Sequence, residues 1–167
     1  MVAILPQTEA DTARRMLGAM PLIFALMVSS TAMSADHVRV IDGDTLAVGI
    51  INYRLLGIDA PERLQTCVFQ VAAWSCGAAA TEALRALIGD SAVDCRGSER
   101  DRYGRTVAVC YVGGIDLGAA MVAGGWALAY RSFTTMYVAA EDAARYAGAG
   151  IWRGGFVTPE QWRRGVR

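Results

Sequence analysis

The stretch from Val40 to Glu62, VIDGDTLAVGIINYRLLGIDAPE, constrains the fold more than any other part of the sequence. Two turn signals, DGD and GIDAP, flank the runs TLAV and INYRLLGI, whose β-branched and large apolar residues favour strands. Gly49 lies between the two runs, at the natural position for a chain reversal. The pattern therefore predicts a hairpin whose outer strand ends lie near each other.

Acidic residues stand at both outer ends of this predicted hairpin, Asp42 and Asp44 before it and Asp59 and Glu62 after it. Clustered carboxylates repel, so a fold that gathers them usually holds a cation or shifts a pKa. Arg54 lies inside the apolar run, where an unpaired charge is costly, and we expect it to face a polar cleft or an anion. The alternative is a hairpin with ordinary solvated turns. The position of Arg54 favours a site.

A second charged stretch, ERDRYGR, ends at Arg105 and directly precedes an apolar strand pattern. A solvated turn is its ordinary interpretation. An arginine at a strand start can also be aimed into a cleft, as we expect for Arg54. Two arginines that face clustered acids are explained by a metal-bound phosphate, because the cation neutralises the acids and the guanidinium groups stabilise charge on the phosphate.

The N-terminal residues 1–35 have the order of a secretory signal. Two arginines precede the apolar run MLGAMPLIFALMVSS, and the small residues of TAMSA predict cleavage near Ser34 or Ala35. An uncleaved membrane anchor and a buried core helix are the alternatives. The signal predicts a mature domain of residues 36–167 in the periplasm or outside the cell, with no membrane contact unless the segment stays uncleaved.

Four cysteines, an even number, all lie in this mature part. Three pairings are possible, and we favour Cys67 with Cys76 and Cys95 with Cys110. Each disulfide adds about 2–4 kcal/mol by restricting the unfolded chain. Four buried thiols in a cytosolic protein are the alternative. His37 is the only histidine, which argues against a zinc site.

The remaining pattern indicates short strands, one clear helix between the third and fourth strands, and helices near the end. Gly89 is expected to end the first helix and Asp116 to cap the second. Segments 63–77 and 98–105 are expected to be loops, and Phe133 is expected in the core. Together these elements favour a small barrel closed by helices. The expected strands are 37–41, 45–48, 51–58, 92–95, 106–112 and the segment 126–130, and the expected helices are 78–88, 117–123 and 136–147.

The formal net charge is zero, so no global positive field indicates a nucleic-acid partner. All 16 basic residues are arginines. Arginine binds phosphate through two parallel hydrogen bonds, which a lysine point charge cannot do.

Three sequence motifs in register, VIDGDT, RLLGIDAPE and DRYGR, together with a GIW ending, resemble the staphylococcal-nuclease-like (thermonuclease) family. The resemblance covers about residues 37–152. It implies an α+β fold, a five-stranded OB-type β-barrel with about three helices. It also implies an enzyme that binds one Ca2+ and cleaves phosphodiester bonds of DNA and RNA, leaving 3′-phosphates.

The resemblance assigns metal ligands and an acid–base residue. Asp44 and Asp59 would hold Ca2+ through their carboxylates, and Ala60 through its main-chain carbonyl, where relatives often have threonine. Asp42 would lie near the metal without binding it directly. Glu62 would act on the attacking water as general base.

The resemblance also assigns residues that contact the substrate. Arg54 and Arg105 would bind the scissile phosphate and stabilise the transition state. Tyr103 would contact a terminal phosphate of the nucleotide, and Tyr130 would offer an aromatic face to a base.

The chain departs from its better-known relatives in being neutral rather than strongly basic, so weaker affinity for long nucleic acid is expected. DNA and RNA are the expected partners of a monomer with no stable protein partner. The alternatives are a catalytically silent OB-type module that binds nucleic acid or protein, and an exported domain with a structural calcium only. The complete set of acids and arginines argues against a silent module.

Overall fold

The computed structural model describes residues 37–167 of the chain. The predicted signal segment, residues 1–35, lies outside the described residues. Among the residues that are described, no helix is long and apolar enough to span a bilayer.

Six short strands precede the first helix of the described part of the chain, and most of the helices lie in its second half. The strands are β1 (Val38–Val40), β2 (Thr45–Val48), β3 (Ile51–Leu55), β4 (Ile58–Asp59), β5 (Cys67–Phe69), β6 (Ala72–Trp74), β7 (Asp94–Arg100), β8 (Thr106–Val112), β9 (Ile115–Asp116) and β10 (Leu128–Ala129). The helices are α1 (Cys76–Ile88), α2 (Leu117–Ala123), α3 (Val138–Tyr146), a 3-10 turn (Gly150–Arg153) and α4 (Pro159–Arg163). The mixed α+β class is as predicted.

The main sheet runs in the order β1-β2-β3-β8-β7, with β9 paired to β8. Neighbouring strands are antiparallel except β3 and β8, which run parallel. Two small antiparallel sheets, β4 with β10 and β5 with β6, complete the pairing. The predicted hairpin of β2 and β3 is confirmed, with its reversal at Gly49, where φ is +59°.

One hydrophobic core lies between the main sheet and the helices α1, α2 and α3. Leu84 of α1 and Met121 of α2 are fully buried in it, together with Leu46 and Leu55 of the hairpin. Tyr137 adds a polar link, because its hydroxyl donates to Asp116 Oδ2 at 2.8 Å. The core therefore holds the hairpin rigidly against the helices.

Helix α1 forms because Ala and Leu dominate it, and it ends at Gly89 as predicted, where φ is +53°. It begins two residues before the predicted start, at Cys76, which is bonded to Cys67 at the start of β5. The second disulfide joins Cys95 and Cys110, which are directly opposed on β7 and β8. Both predicted pairings are confirmed.

The sequence-based expectations were wrong in the segment 63–77, which contains the hairpin β5–β6 where a loop was expected. Its two turn residues, Gln70 and Val71, have φ of +48° and +63°. A β-branched residue at positive φ is rare, so the usual glycine or asparagine signal of a tight hairpin is missing.

Two further expectations need correction. Strand β7 continues to Arg100 through a register shift between Arg96 and Glu99, so the first three residues of the segment 98–105, expected as a charged loop, are strand. Four α-helices are present in residues 37–167 where about three were expected, and the additional one is α4. Thr158 and Gln161 form a capping box with Pro159 at the first turn, a signal that the sequence carried.

The position of Leu84 gives a direct test of the core. Leu84→Ala is expected to lower the free energy of unfolding by about 2–5 kcal/mol, because it removes a fully buried side chain and leaves a cavity. Leu87→Ala, on the same helix but 37% exposed, is expected to change it by less than about 0.5 kcal/mol. Urea denaturation of both variants measures the difference, and equal losses would place the core elsewhere.

Candidate active site

The β2–β3 hairpin places the first pair of charged residues. Thr45 and Arg54 are opposed across the hairpin, so Asp44 lies beside the end of β3, where its carbonyl accepts from Leu55 N at 2.8 Å. Asp42 Oδ1 accepts from Asp44 N at 3.1 Å and holds the turn. The Asp44 carboxylate is therefore fixed at the strand end.

Asp44 is buried and its carboxylate is saturated with donors. Oδ2 accepts from Ala60 N at 2.8 Å, Oδ1 accepts from Thr45 Oγ1 at 3.1 Å, and Arg54 Nη1 forms an ion pair with Oδ1. Donors on both oxygens and an adjacent guanidinium offset the cost of burying this carboxylate. The link to Ala60 ties the two ends of the acidic stretch together.

Asp59 ends β4 and is likewise buried. Its Oδ1 accepts from Arg54 Nη2 at 3.1 Å and from Arg163 Nη1 at 3.0 Å, and its Oδ2 accepts from Arg163 Nη2 at 3.1 Å. One guanidinium, that of Arg54, thus bridges Asp44 and Asp59, while a second grips Asp59 with two parallel bonds.

Arg54 is the mostly buried charge that the sequence predicted. Burial lowers its pKa from the ordinary arginine value, and the charge of Asp59 opposes that shift. Arginine starts so far above neutral pH that the side chain remains a cation. Its remaining contact, from Nη2 to the Ile58 carbonyl at 3.1 Å, fixes its direction towards the acids.

The loop from Asp101 to Arg105 positions Arg105, the second arginine that the sequence predicted for the site. Arg105 Nη1 donates to Thr45 Oγ1 at 3.0 Å, and Nε donates to Asp101 Oδ2 at 2.8 Å. Asp101 Oδ1 also accepts from the backbone N–H groups of Tyr103 and Arg105 at 2.9 and 3.0 Å. Burial opposes ionisation of Asp101, but these bonds outweigh it, and the net effect lowers the pKa of the carboxyl from 3.8.

Glu62 follows the rigid Pro61 and points into the same space. Its Oε1 accepts from Arg163 Nη1 at 2.9 Å, and its backbone N–H donates to Gln65 Oε1 at 3.2 Å. Gln65 is completely buried and donates from Nε2 to the Val157 carbonyl at 2.8 Å. A Cβ at Gly77 would lie 1.7 Å from the Glu62 carbonyl oxygen, so only glycine lets α1 approach this segment.

These side chains surround an open cleft of about 880 Å3. Asp59 and Ala60 are buried and do not line it. Asp59 is nevertheless paired with the lining residues Arg54 and Arg163, and Ala60 N is bonded to Asp44. The predicted site residues that line the cleft are Asp42, Asp44, Arg54, Glu62, Tyr103, Arg105 and Tyr130.

Aromatic rings stand at the walls of the cleft. Tyr103 is 68% exposed, and the Arg105 guanidinium lies 5.4 Å from its ring centre. Tyr130 stacks on Phe133 with ring centres 6.1 Å apart. The expectation that Phe133 is a core residue was wrong, because its side chain is 59% exposed at the cleft wall.

A smaller cavity of about 530 Å3 lies between α3 and the C-terminal segment. Its buried acid, Glu141, accepts from Ala129 N at 3.0 Å and pairs with Arg131. These contacts fasten α3 to β10, and they leave Glu141 occupied in a structural role.

The ligands expected from sequence for a metal, Asp44, Asp59 and the Ala60 carbonyl, are all oxygen donors, the type that a hard cation prefers. In residues 37–167 no cluster of three or more His, Cys, Asp or Glu side chains is placed to hold a metal. The ligand set expected from sequence has only two carboxylates, Asp44 and Asp59, with a main-chain oxygen of Ala60 as the third ligand. Calcium accepts such oxygen sets completed by water. The doubled grip of Arg163 on Asp59 shows that a cation is already favoured at this position.

Sequence reasoning missed several residues that touch the predicted ones, among them Asp101, Gln65 and Arg163. Asp101 had a local signal, since an aspartate two residues before the Tyr-Gly of a turn commonly binds backbone N–H groups. Gln65 and Arg163 reach their partners across 92 and 104 residues, respectively, and no local pattern reports such contacts.

Buried carboxylates bridged by arginine, with a further acid and a second arginine around an open cleft, are suited to a phosphodiester hydrolase. Residues 52–154 match the family model described as staphylococcal nuclease homologue. The chain belongs to the staphylococcal nuclease family.

Curated relatives agree with this assignment. Over 147 residues the chain is 33% identical to the succinoglycan biosynthesis protein ExoI of Rhizobium meliloti, covering 83% of this chain and 76% of that protein. It is 31% identical to an uncharacterized endonuclease of Haemophilus influenzae, covering 86% and 84%. It is 33% identical to a micrococcal nuclease of Shigella flexneri, covering 89% and 92%. The chain is thus a hydrolase of the nuclease class.

The Asp101 carboxyl generates a prediction on pH. Its folded-state pKa is lowered, so the stability it contributes is complete above the unfolded value of 3.8 and is lost as pH falls through the folded value. The difference in unfolding free energy between wild type and Asp101→Asn is therefore expected to shrink as pH falls from about 7 to about 2.

Urea denaturation across that pH series measures the difference. Asp94→Asn is the matched control, since Asp94 pairs with Arg96 at an exposed surface position and is worth little. A difference for Asp101→Asn that stays constant with pH would contradict the prediction.

Proposed function

We propose that this chain is an exported, Ca2+-dependent nuclease that hydrolyses phosphodiester bonds of DNA and RNA and leaves 3′-phosphates. The observation that carries the proposal is the pair of buried carboxylates, Asp44 and Asp59, bridged by Arg54 at the base of a cleft that Glu62 and Arg105 also enter. So many charges in one place do not stabilise a hairpin, because each charge must be desolvated and paired at a cost in free energy.

In this proposal Asp44, Asp59 and the carbonyl of Ala60 hold Ca2+. The bound ion would supply Lewis-acid stabilisation of charge on the phosphate. Asp42 keeps its role in the turn, where it fixes the backbone of Asp44. The fit rests on oxygen donors at a site where the cation Arg163 now lies.

Glu62 takes the proton of the attacking water in this proposal. The water oxygen forms a bond to phosphorus, the bond from phosphorus to the 5′ oxygen breaks, and that oxygen leaves with the electron pair and is protonated from solvent. Glu62 is suited to the role because Pro61 and the Gln65 hydrogen bond fix its backbone, while its carboxylate reaches the cleft.

Arg54 and Arg105 bind the scissile phosphate and stabilise the charge that develops on it. Both guanidinium groups are held by carboxylates, Arg54 by Asp44 and Asp59, and Arg105 by Asp101. Fixed donors of this kind need little reorganisation during the reaction, which is the source of their catalytic value.

Substrate contacts are proposed for the aromatic walls. Tyr103 lies beside Arg105 and is placed to meet a terminal phosphate, and Tyr130 with its stacked neighbour Phe133 offers a face to a base. Stacking accepts any base, which is consistent with cleavage of both DNA and RNA. The neutral chain is expected to bind long nucleic acid weakly and with little salt dependence.

We further propose that the strands β1-β2-β3-β8-β7 close into the five-stranded OB-type barrel that the family resemblance implies. The strand order and the parallel pairing of β3 with β8 support it, because this pair joins the antiparallel β1-β2-β3 strands to the β8–β7 pair in one sheet. Residues 1–35 are proposed as a cleaved signal peptide, and the two disulfides support a periplasmic or secreted location. A monomer without a stable protein partner is part of the same proposal.

Nuclease assays test the chemistry. Glu62→Gln is expected to lower the rate of cleavage of single-stranded DNA by about 10²–10⁴, the usual contribution of a general base, while Ca2+ binding is largely kept. Arg105→Ala is expected to cost about 10²–10³ through lost charge stabilisation. Glu82→Gln, an exposed acid of α1 paired with Arg85, is the control and should retain wild-type activity.

Cleavage by wild type must require Ca2+ and stop with chelator. Nucleic-acid binding without cleavage by folded, oxidised wild-type protein would instead support the silent binding module. If Glu62→Gln cleaved DNA at the wild-type rate, Glu62 would not be the general base.

Export has its own test. Expression of the full chain in a bacterial host is expected to yield a mature protein in the periplasm or medium that starts near Ser34 or Ala35. A chain that begins at Asp36 should remain in the cytoplasm. Sequencing of the N-terminus measures the outcome, and a full-length protein in the cytoplasm would contradict export.

A further inference from the structure

The C-terminal helix α4 sends one side chain into the candidate site. Arg163 Nη1 and Nη2 donate to the two carboxylate oxygens of Asp59 at 3.0 and 3.1 Å, and Nη1 also donates to Glu62 Oε1 at 2.9 Å. A planar guanidinium therefore joins the proposed metal ligand to the proposed base. No other arginine of residues 37–167 is paired with both of these acids.

This contact is built into the fold. The segment before α4 is fastened to the Glu62 loop by Gln65, which binds Glu62 N through one end of its amide and the Val157 carbonyl through the other. Thr158 and Gln161 then cap the helix reciprocally, and Pro159 is buried. The arginine that follows is consequently delivered to the cleft by ordered backbone.

The position of Arg163 overlaps the position that a cation needs. Asp59 is 5% exposed, and both of its oxygens are bonded to Arg163, with Oδ1 also bonded to Arg54. A divalent ion that binds this carboxylate competes with these bonds, because Oδ1 already has two donors and the guanidinium of Arg163 lies against Oδ2. The side chain of Arg163, by contrast, is 41% exposed and can move away without crossing the core.

We propose that Arg163 is an internal cation that competes with the divalent metal for Asp59, so that the C-terminal helix sets the metal affinity of the enzyme. The inference rests on the proposed function, since it takes Asp59 as a metal ligand. Metal binding exchanges one cation for another on the same carboxylate. Arg163 keeps the acids neutralised before the exchange, which avoids repulsion between Asp59 and Glu62.

The test measures metal binding in the absence of nucleic acid. The full chain, its Arg163→Gln variant and its Arg164→Gln variant are titrated with Ca2+ by calorimetry, and with Tb3+ by luminescence as an independent probe. Arg163→Gln is expected to bind both ions at least about tenfold more tightly, which corresponds to about 1.4 kcal/mol. Arg164 pairs with the exposed Glu160 and does not touch the cleft, so Arg164→Gln should match wild type.

Each possible result either supports or overturns the proposed competition. Unchanged or weaker binding in Arg163→Gln, with wild-type binding intact, overturns the competition and leaves the proposed metal site standing. If neither wild type nor either variant binds the ions, the proposed metal site is wrong, and the proposed competition is wrong as well. Urea denaturation confirms that both variants are folded.

A second measurement needs no variant. Exchange frees the Arg163 side chain from Asp59 and Glu62, so Ca2+ is expected to speed tryptic cleavage after Arg163, measured by mass spectrometry of the C-terminal peptides. The monovalent salt KCl at equal ionic strength is the control. A cleavage rate that is the same with both salts would contradict the exchange, because the Arg163 side chain would then stay bound to Asp59 when the metal is present.

Discussion

The pairing of Arg54 with Asp44 and Asp59 is the interaction on which the rest of the site depends. Two buried carboxylates cannot stay ionised beside each other without a counter-charge, and Arg54 supplies it from the strand between them. The hairpin of β2 and β3 makes this possible, because it opposes Thr45 to Arg54 and leaves Asp44 next to the arginine. The apolar core behind the hairpin holds that geometry.

Around this central pair, the fold distributes its charges in matched sets. Asp101 holds Arg105, and Arg163 holds Glu62 together with Asp59. The protein is neutral overall, but its cleft concentrates guanidinium groups where a phosphate would lie. Nuclease relatives and the family match place this chemistry among phosphodiester hydrolases. Local arrangement of charge, rather than net charge, carries the function.

The sequence predicted what short-range patterns determine. The β2–β3 hairpin, the cap of α2 at Asp116 and the end of α1 at Gly89 each follow from neighbouring residues, and the structure confirms them. The acids and arginines gathered because a hairpin brings its ends together. The β5–β6 hairpin was not predicted, because its turn residue Val71 has a positive φ that a β-branched side chain disfavours. The contacts of Arg163 could not be predicted, because its partners are about 100 residues away in sequence and no pattern of neighbouring residues indicates them.

The distance in sequence between α4 and the carboxylates it holds also orders events during synthesis. Arg163 is separated from Asp59 by 104 residues, so the acidic hairpin leaves the ribosome long before this counter-ion is made. Contacts of such high sequence separation carry a large loop-closure cost and slow folding. The newly made strands therefore pass through a stage in which Asp59 and Glu62 lack Arg163, and the three side chains can meet only after α4 has been synthesised.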